Sequence, residues 1–360
     1  MGDKKLARNY KAIDADAHVI ETPFTFEYIE EKDRRFTPLV VNQIAGSEQV
    51  SNEGNRQSEF WIVDHNVYAK DRNVESKISR AEWREMRDIT GRVQHMDELE
   101  IDVQVLFPTL FLRPCTDNME VEYALFRSYN RWLGDIWKKA PDRMAWAAMV
   151  PFRSSIEVIR DELTWCKENG AKSVFMRPLE CEMEITDPYF WPLYEVAQEL
   201  DLAITFHAGN GSFQVHDFFF PTSFPIHKLS MVGAFHALVM TDLPKRFPNL
   251  RWGFIEASAQ WLGYAINDAM IRKRQKGIRL TDNVLKDYNI WVAVQVQDDL
   301  DYIIDRYADE NHLVVGTDYG HTDTSAEIEA LRILRDDGKI PAGAADKILG
   351  PNAARLYGLE

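Results

Sequence analysis

Eight short, near-continuously apolar runs recur along the chain, at 13–18, 102–108, 144–151, 172–178, 202–208, 251–256, 290–295 and 312–318. Runs without a polar face are what parallel strands buried on both sides require. Between them the apolar positions fall at three-and-four spacing. Residues 121–139 place Tyr123, Phe126, Tyr129, Trp132, Leu133 and Ile136 on one helical face. Helices are expected as well over 156–167, behind the N-cap candidates Ser154 and Ser155, and over 188–200, 298–307 and 324–335. A further helical run covers 231–240. Eight strands alternating with helices predict an α/β fold, a (β/α)8 barrel, in preference to an open doubly wound sheet. The chain has no G-x-G-x-x-G and no G-x-x-x-x-G-K-[ST] turn.

Two segments exceed a minimal barrel. Residues 22–95 form a long insertion after the first strand. Within it, Glu59 to Tyr68 reads as a small hairpin with Asp64 to Asn66 at the turn. An insertion there falls on the face where barrels build their sites, so a lid or substrate-binding role is expected, with packing on a neighbouring subunit as the alternative. The second segment, 210–226, carries Phe213 and Phe218 to Phe220, and is expected to line the pocket or a subunit contact. The whole chain, 1–360, is read as one domain with the 22–95 insertion inside it.

Composition narrows the partners. With 360 residues and 45% hydrophobic content the chain can bury a large core. Its formal net charge is −15 and it has no Lys/Arg stripe, which argues against nucleic acid. Cys115, Cys166 and Cys181 show no C-x-x-C spacing and cannot all pair, which favours a reduced, cytoplasmic setting. Met1 to Leu6 is polar, with no signal-peptide core, and no apolar run approaches the roughly 20 residues that span a bilayer.

The candidate chemistry begins at Ile13-Asp14-Ala15-Asp16-Ala17-His18. In an extended strand Asp14, Asp16 and His18 share one face, and a carboxylate and an imidazole two residues apart can grip one divalent ion. Other strands close on polar residues too: Arg177 on the fourth, His207 on the fifth, Glu256 on the sixth, and Asp318, followed by His321, on the eighth. Several metal-capable residues at the ends of different strands of one barrel point to a shared metal site. Glu21 and Glu256 are candidates for a second metal position, and so is His236, for which an ordinary helix histidine is the alternative. Arg177 could hold a substrate carboxylate or form a structural ion pair. His65, at the hairpin turn, is expected to face solvent.

These motifs together resemble the amidohydrolase superfamily, and within it the branch named for aminocarboxymuconate-semialdehyde decarboxylase. The resemblance rests on Ile13 to Glu21, Met96 to Pro108, Arg246 to Arg251 and Gly316 to His321, and covers nearly the whole chain. It implies that Asp16, His18, His207 and Asp318 bind one divalent metal, with zinc first and iron or manganese also suited. It implies a metal-activated water used for hydrolysis or for non-oxidative decarboxylation of a small carboxylate or aromatic acid, with Asp318 as a proton acceptor. Two departures stand out. Asp16 occupies a position where the branch has histidine, and this harder oxygen donor shifts preference slightly toward manganese or iron. The branch also has a histidine after strand six, where this chain has Glu256-Ala-Ser-Ala-Gln-Trp261. Glu256 is then a replacement base, a metal ligand, or the partner of Arg177 or Arg251; His321 is a further candidate to touch substrate or metal. Alternatives to a mononuclear hydrolase or carboxy-lyase are a dinuclear iron or manganese monooxygenase on the same barrel and a non-catalytic, metal-binding partner subunit. A homo- or hetero-oligomer is expected.

Overall fold

The computed structural model describes residues 8–42, 49–50, 56–57, 59–70, 74, 79–219 and 223–359. Eight strands form the frame: β1 (Ile13–His18), β2 (Val103–Phe107), β3 (Met144–Ala148), β4 (Ala171–Met176), β5 (Ala203–His207), β6 (Trp252–Ile255), β7 (Ile290–Val294) and β8 (Leu313–Val315). They lie in one parallel sheet in chain order. The sheet closes on itself just beyond β8. Ala17 bridges Tyr319, the His18 amide donates to the Tyr319 carbonyl at 2.9 Å, and the Asp318 amide donates to the Asp16 carbonyl at 2.9 Å. The result is the (β/α)8 barrel expected from the pattern. In all strands but β4 every residue is buried, which is why the runs lack polar alternation.

The longest helix spans Met119–Lys139, with Asn118 accepting from the Glu120 amide as its N-cap. Ser155 caps Ile156–Glu168 in the same way, accepting from the Val158 amide. The expected 188–200 helix is a 3-10 turn over Pro188–Phe190 that runs into Trp191–Glu199. The expected 298–307 helix spans Leu300–Arg306. The expected 324–335 helix forms only over Ala330–Asp336, because the preceding amides are taken elsewhere: Glu327 N–H donates to the Thr317 carbonyl at 3.1 Å and Ser325 N–H to Asp323 at 2.7 Å. Several helices went unread in the sequence, Leu262–Gln275 and Pro351–Tyr357 among them. The first turns small residues, Ala265 and Ala269, inward, so its apolar stripe is thin.

The insertion after β1 holds the hairpin, Glu59–Val63 against Asn66–Ala69, turning at Asp64 with φ 53°. His65 is exposed there, as expected. A third strand, Leu39–Asn42, pairs on its other edge and was not foreseen. Trp61 buries against Phe26, ring centroids 5.5 Å apart. Asn66 donates to the Cys115 carbonyl at 3.0 Å, Tyr68 to that of Pro114, and Thr116 to Asp64 at 2.8 Å. These contacts seat the hairpin on the loop after β2, at the C-terminal mouth of the barrel. Val74 also pairs, antiparallel, with His321. In the aromatic segment, Phe213–Phe219 is helical and Phe218 is 80% exposed, so that ring lines no interior pocket. Phe220 lies outside the described residues, as do 43–48, 51–55, 58, 71–73 and 75–78 of the insertion.

Candidate metal centre

Five strand ends converge at the mouth. β1 carries Asp16 within the strand and His18 as its last residue, and β5 ends on His207. Glu256 follows β6 immediately, and Asp318 and His321 follow β8. The loop after β2 adds Pro108 and Thr109. His18 Nε2 and His207 Nε2 face each other at 3.1 Å. Asp16 Oδ1 lies 3.4 Å from the first and 3.2 Å from the second. Asp318 Oδ1 is 3.4 Å from His18 Nε2 and 2.7 Å from His321 Nδ1. All five side chains are buried. Phe107 walls the pair from below, its ring centroid 5.0 Å from that of His207.

Hydrogen positions follow from the partners. His18 Nδ1 lies 2.9 Å from the Pro108 carbonyl, and His207 Nδ1 lies 3.0 Å from the Ala208 carbonyl and 3.2 Å from Glu256 Oε2. The two carbonyls only accept, so both imidazoles carry their hydrogen on Nδ1 and turn bare Nε2 lone pairs toward each other. Two lone pairs and two carboxylates therefore meet with no donor between them. Neither Asp318 oxygen accepts a well-aligned hydrogen bond among the described residues, although both are buried. Such an arrangement is suited to a cation at its centre. Two imidazoles and two carboxylates suit zinc, iron or manganese. Their Nδ1–H groups, tied to carbonyls and to Glu256, orient the rings as metal-bound histidines are oriented.

The ligand groups overlap. Asp16, His18 and His207 form one triple with ligand atoms all within 4.8 Å of one another; His18, Asp318 and His321 form a second, and Glu256, Asp318 and Asp323 a third. Asp318 links the last two. Its backbone sits at φ 51° and that of Glu256 at φ 65°, left-handed conformations rare for these residues and typical of functional positions.

Burial shapes the titration of the cluster. It pushes His18 down to about 3, with the neighbouring His321 adding to the effect. It pushes His321 down to about 4. Asp318 and Glu256 are raised well above the carboxylate range by burial and then by the charge of Asp323. Burial would raise Asp16 as well, but the imidazoles of His207 and His18 outweigh it and hold the carboxyl below its usual range. The Thr109 hydroxyl donates to the Val19 carbonyl at 2.8 Å, so at 3.0 Å from His321 Nε2 it accepts. His321 thus donates from Nε2, and the 2.7 Å contact between its Nδ1 and Asp318 Oδ1 holds one further proton.

Asp16, His18, His207, Glu256, Asp318 and His321 are thus brought together. Three other candidates are placed elsewhere. His236 lies on the helix Ser230–Thr241, 2.9 Å from Asp268 on the neighbouring helix, and is not a second-metal ligand. Glu21 accepts from the amides of Thr109 at 3.1 Å and Leu110 at 2.8 Å. It anchors the β2 loop and joins none of the ligand groups; burial raises its carboxyl to about 7. Arg177 forks onto Glu180, Nε to Oε1 at 2.8 Å and Nη2 to Oε2 at 2.6 Å. Its Nη1 donates to the Phe111 and Arg113 carbonyls. That is the structural ion pair, and Glu256 pairs with neither Arg177 nor Arg251, which instead binds Asp201. The sequence reading missed Asp323, Thr109 and Lys228, whose Nζ donates to the Glu256 carbonyl at 2.6 Å. Asp323 stands two residues beyond His321, and that spacing was the available signal.

The sequence model of the amidohydrolase family matches residues 13–359. The chain belongs to the amidohydrolase family. An amidohydrolase from Mycobacterium avium subsp. paratuberculosis K-10 superposes with a TM-score of 0.76 at 17% identity, covering 98% of this chain and 100% of the other. The 5-carboxyvanillate decarboxylase of Sphingomonas paucimobilis gives 0.68 at 16% identity, covering 97% and 99%. A dihydroxybenzoic acid decarboxylase from Polaromonas sp. JS666, with bound manganese and 2-nitroresorcinol, gives 0.63 at 17% identity, covering 97% of each. At these identities the likeness establishes the fold. No curated protein matches the chain. Among the described residues no helix is long and apolar enough to cross a membrane.

Proposed function

We propose that this amidohydrolase is a metal-dependent enzyme that carries out non-oxidative decarboxylation or hydrolysis of a small carboxylate, an aromatic acid being the favoured class. The observation that carries the reading is the convergence of His18, His207, Asp16 and Asp318 as four acceptors with no donor among them. A bound divalent ion supplies charge neutralisation and Lewis acidity at that point. The chain's own residues supply the proton chemistry. The 2.7 Å contact between His321 Nδ1 and Asp318 Oδ1 holds a proton that can pass to a substrate carbon or be replaced from water, and Thr109 keeps the His321 ring aligned by accepting at Nε2. Glu256 stands where relatives of the decarboxylase branch have histidine. Its contact to His207 Nδ1 makes it the orienting group of that imidazole. The decarboxylases of similar fold act, by their names, on aromatic acids, which supports that substrate class. With Arg177 committed to Glu180, Lys228, beside Glu256, is the better-placed cation for a substrate carboxylate.

The test is metal content together with turnover. About one divalent ion per chain, and carbon dioxide release or ester or amide cleavage from a panel of small aromatic acids under anaerobic conditions, is the expected result. Failure of His18→Ala to lower metal content overturns the reading. A dinuclear oxygenase is the second reading, favoured by the Glu256, Asp318 and Asp323 group that shares Asp318 with the first site. Two ions per chain and turnover that stops without O₂ would select it.

A further inference from the structure

Behind the ligands lies a carboxylate for which the proposed chemistry has no use. Asp14 is fully buried two residues before Asp16 on β1, and the strand's register shifts between Asp14 and Ala17, so the simple alternation that would put Asp14 on one face with Asp16 and His18 does not hold: Asp14 pairs with Gln104 and His18 with Phe107. Its Oδ1 accepts from the Thr317 amide at 2.8 Å and from the Asp16 amide at 3.3 Å. Its Oδ2 accepts from the Thr317 hydroxyl at 2.6 Å and from Gln104 Nε2 at 2.9 Å. Gln104 in turn accepts from Arg92 Nε at 2.8 Å. The Arg92 guanidinium lies 3.4 Å above the centre of the Tyr319 ring, and the Tyr319 hydroxyl lies 2.8 Å from His95 Nδ1. With four donors on two oxygens, Asp14 has no lone pair aimed at the centre.

What Asp14 grips decides its role. Thr317 precedes Asp318, whose φ of 51° is what turns its two oxygens into the site. Asp14 fixes Thr317 at two points, amide and hydroxyl, so the backbone entering the left-handed residue cannot rotate. The same Oδ1 holds the Asp16 amide. We infer that Asp14 is a positioning residue that sets the relative placement of the Asp16 and Asp318 carboxylates, through Thr317 on one side and the Asp16 amide on the other. The inference rests on the metal reading above. A buried carboxylate saturated with donors from β1, β2 and the β8 end is more than packing requires, since an apolar residue would fill the space without needing Gln104 and Arg92 to balance its charge. Orienting groups behind metal ligands typically govern affinity by about 10–100-fold.

The test uses the full chain loaded with Co(II), whose visible absorption reports ligand geometry, and a competition titration for metal affinity. Asp14→Asn keeps the shape but cannot accept from both Thr317 groups and Gln104 together. It is expected to weaken Co(II) binding about 10–100-fold and to shift the visible band. Thr317→Val, which loses only the hydroxyl, is expected to do the same to a smaller degree, and Thr317→Ser to match wild type in both readouts. If Asp14→Asn does not fold, the Thr317 pair decides alone. A wild-type band retained in Asp14→Asn and Thr317→Val, with only melting temperatures lowered, overturns the positioning role. A wild-type protein that shows no Co(II) band overturns the metal reading, and this inference with it.

Discussion

Gly316 offers the sharpest single perturbation of the centre. It lies between β8 and Asp318, against β1. A Cβ built on it would stand 2.2 Å from Asp16 Cβ, 2.9 Å from Asp16 N and 3.0 Å from Asp16 Cα. Unbonded carbons settle at about 3.5–4.0 Å, so Gly316→Ala must push the two segments apart by more than about 1 Å. The atoms in the way are backbone and Cβ, and they cannot swing aside as a side-chain tip could. Overpacking of this kind costs about 1–3 kcal/mol. The functional effect is expected to be more specific, because metal–ligand distances tolerate only about 0.2 Å. An Asp16 oxygen moved by about 1 Å is lost as a ligand, or the ion shifts away from His207. Metal affinity should then fall by at least about tenfold, or about 1.4 kcal/mol. A chelator competition assay reads this directly, with thermal unfolding of the metal-free protein measured alongside. Gly343→Ala is the control: nothing lies within 4 Å of its added Cβ, and it sits in the helix Ala342–Ile348. It should leave affinity unchanged and be neutral or slightly stabilising. Wild-type affinity in Gly316→Ala would refute the placement of Asp16 among the ligands.

Other consequences are open to measurement. Glu180→Gln leaves the Arg177 guanidinium, 4% exposed, without its charge partner, and should lower stability in urea by about 3–5 kcal/mol, whereas breaking the exposed, solvent-screened Arg160–Glu199 pair should leave the urea midpoint almost unchanged. A loss below about 1 kcal/mol in Glu180→Gln would show that the pair is not holding the β4 end. Asp242 is held down to about 2: burial would raise it, but Lys245, Lys273 and the Tyr288 hydroxyl outweigh that. An unfolded Asp titrates near 3.9, so its stabilising contribution is complete above that value and fades as pH falls toward about 2. Asp242→Asn should therefore remove the part of the acid-side stability loss between roughly pH 4 and 2 that this group causes, and lower stability at neutral pH by stranding buried Lys273; an unchanged acid limb counts against the linkage. Thr109→Val removes the acceptor for His321 Nε2–H and should cost about 1–3 kcal/mol, with Thr109→Ser restoring it. Removing metal from the loaded protein should lower its melting temperature in proportion to the logarithm of the metal concentration withdrawn, and a melting point indifferent to chelator would speak against a folded-state metal site.

The frame was legible because buried parallel strands announce themselves as unbroken apolar runs, and all eight formed close to where those runs lie. So were the residues that end β1, β5 and β6, since a charged group closing such a run has no packing excuse. Legibility failed where side chains choose partners across the fold. Arg177 and Glu256 both close strands and look alike in sequence, yet one is saturated by Glu180 and the other meets His207. His236 had the right chemistry on an outer helix. Glu21, three residues past His18, spends its oxygens on two loop amides. Strict alternation put Asp14 on one face with Asp16 and His18, but nothing in one sequence tells that the register shifts between Asp14 and Ala17, or that Thr317, some 300 positions away, would take up the Asp14 lone pairs. Helices with small inward residues, such as Leu262–Gln275, and segments whose amides bond backward, such as 324–329, also escape a reading by periodicity.

The seam of the barrel has a consequence for assembly. Asp16 and His18 enter on the first strand and Asp318 arrives just after the last, roughly 300 residues later. Closing a loop of that length costs about 5 kcal/mol in chain entropy on the (3/2)RT ln n scaling. An ion held as proposed by Asp16, His18, His207 and Asp318 would grip both sides of the seam, as a clasp on a ring, and the full set of four would form only once the last strand has been synthesised and docked. A growing chain on the ribosome would carry Asp16, His18 and His207 before Asp318, so the fourth proposed ligand and the closure of the ring would arrive together.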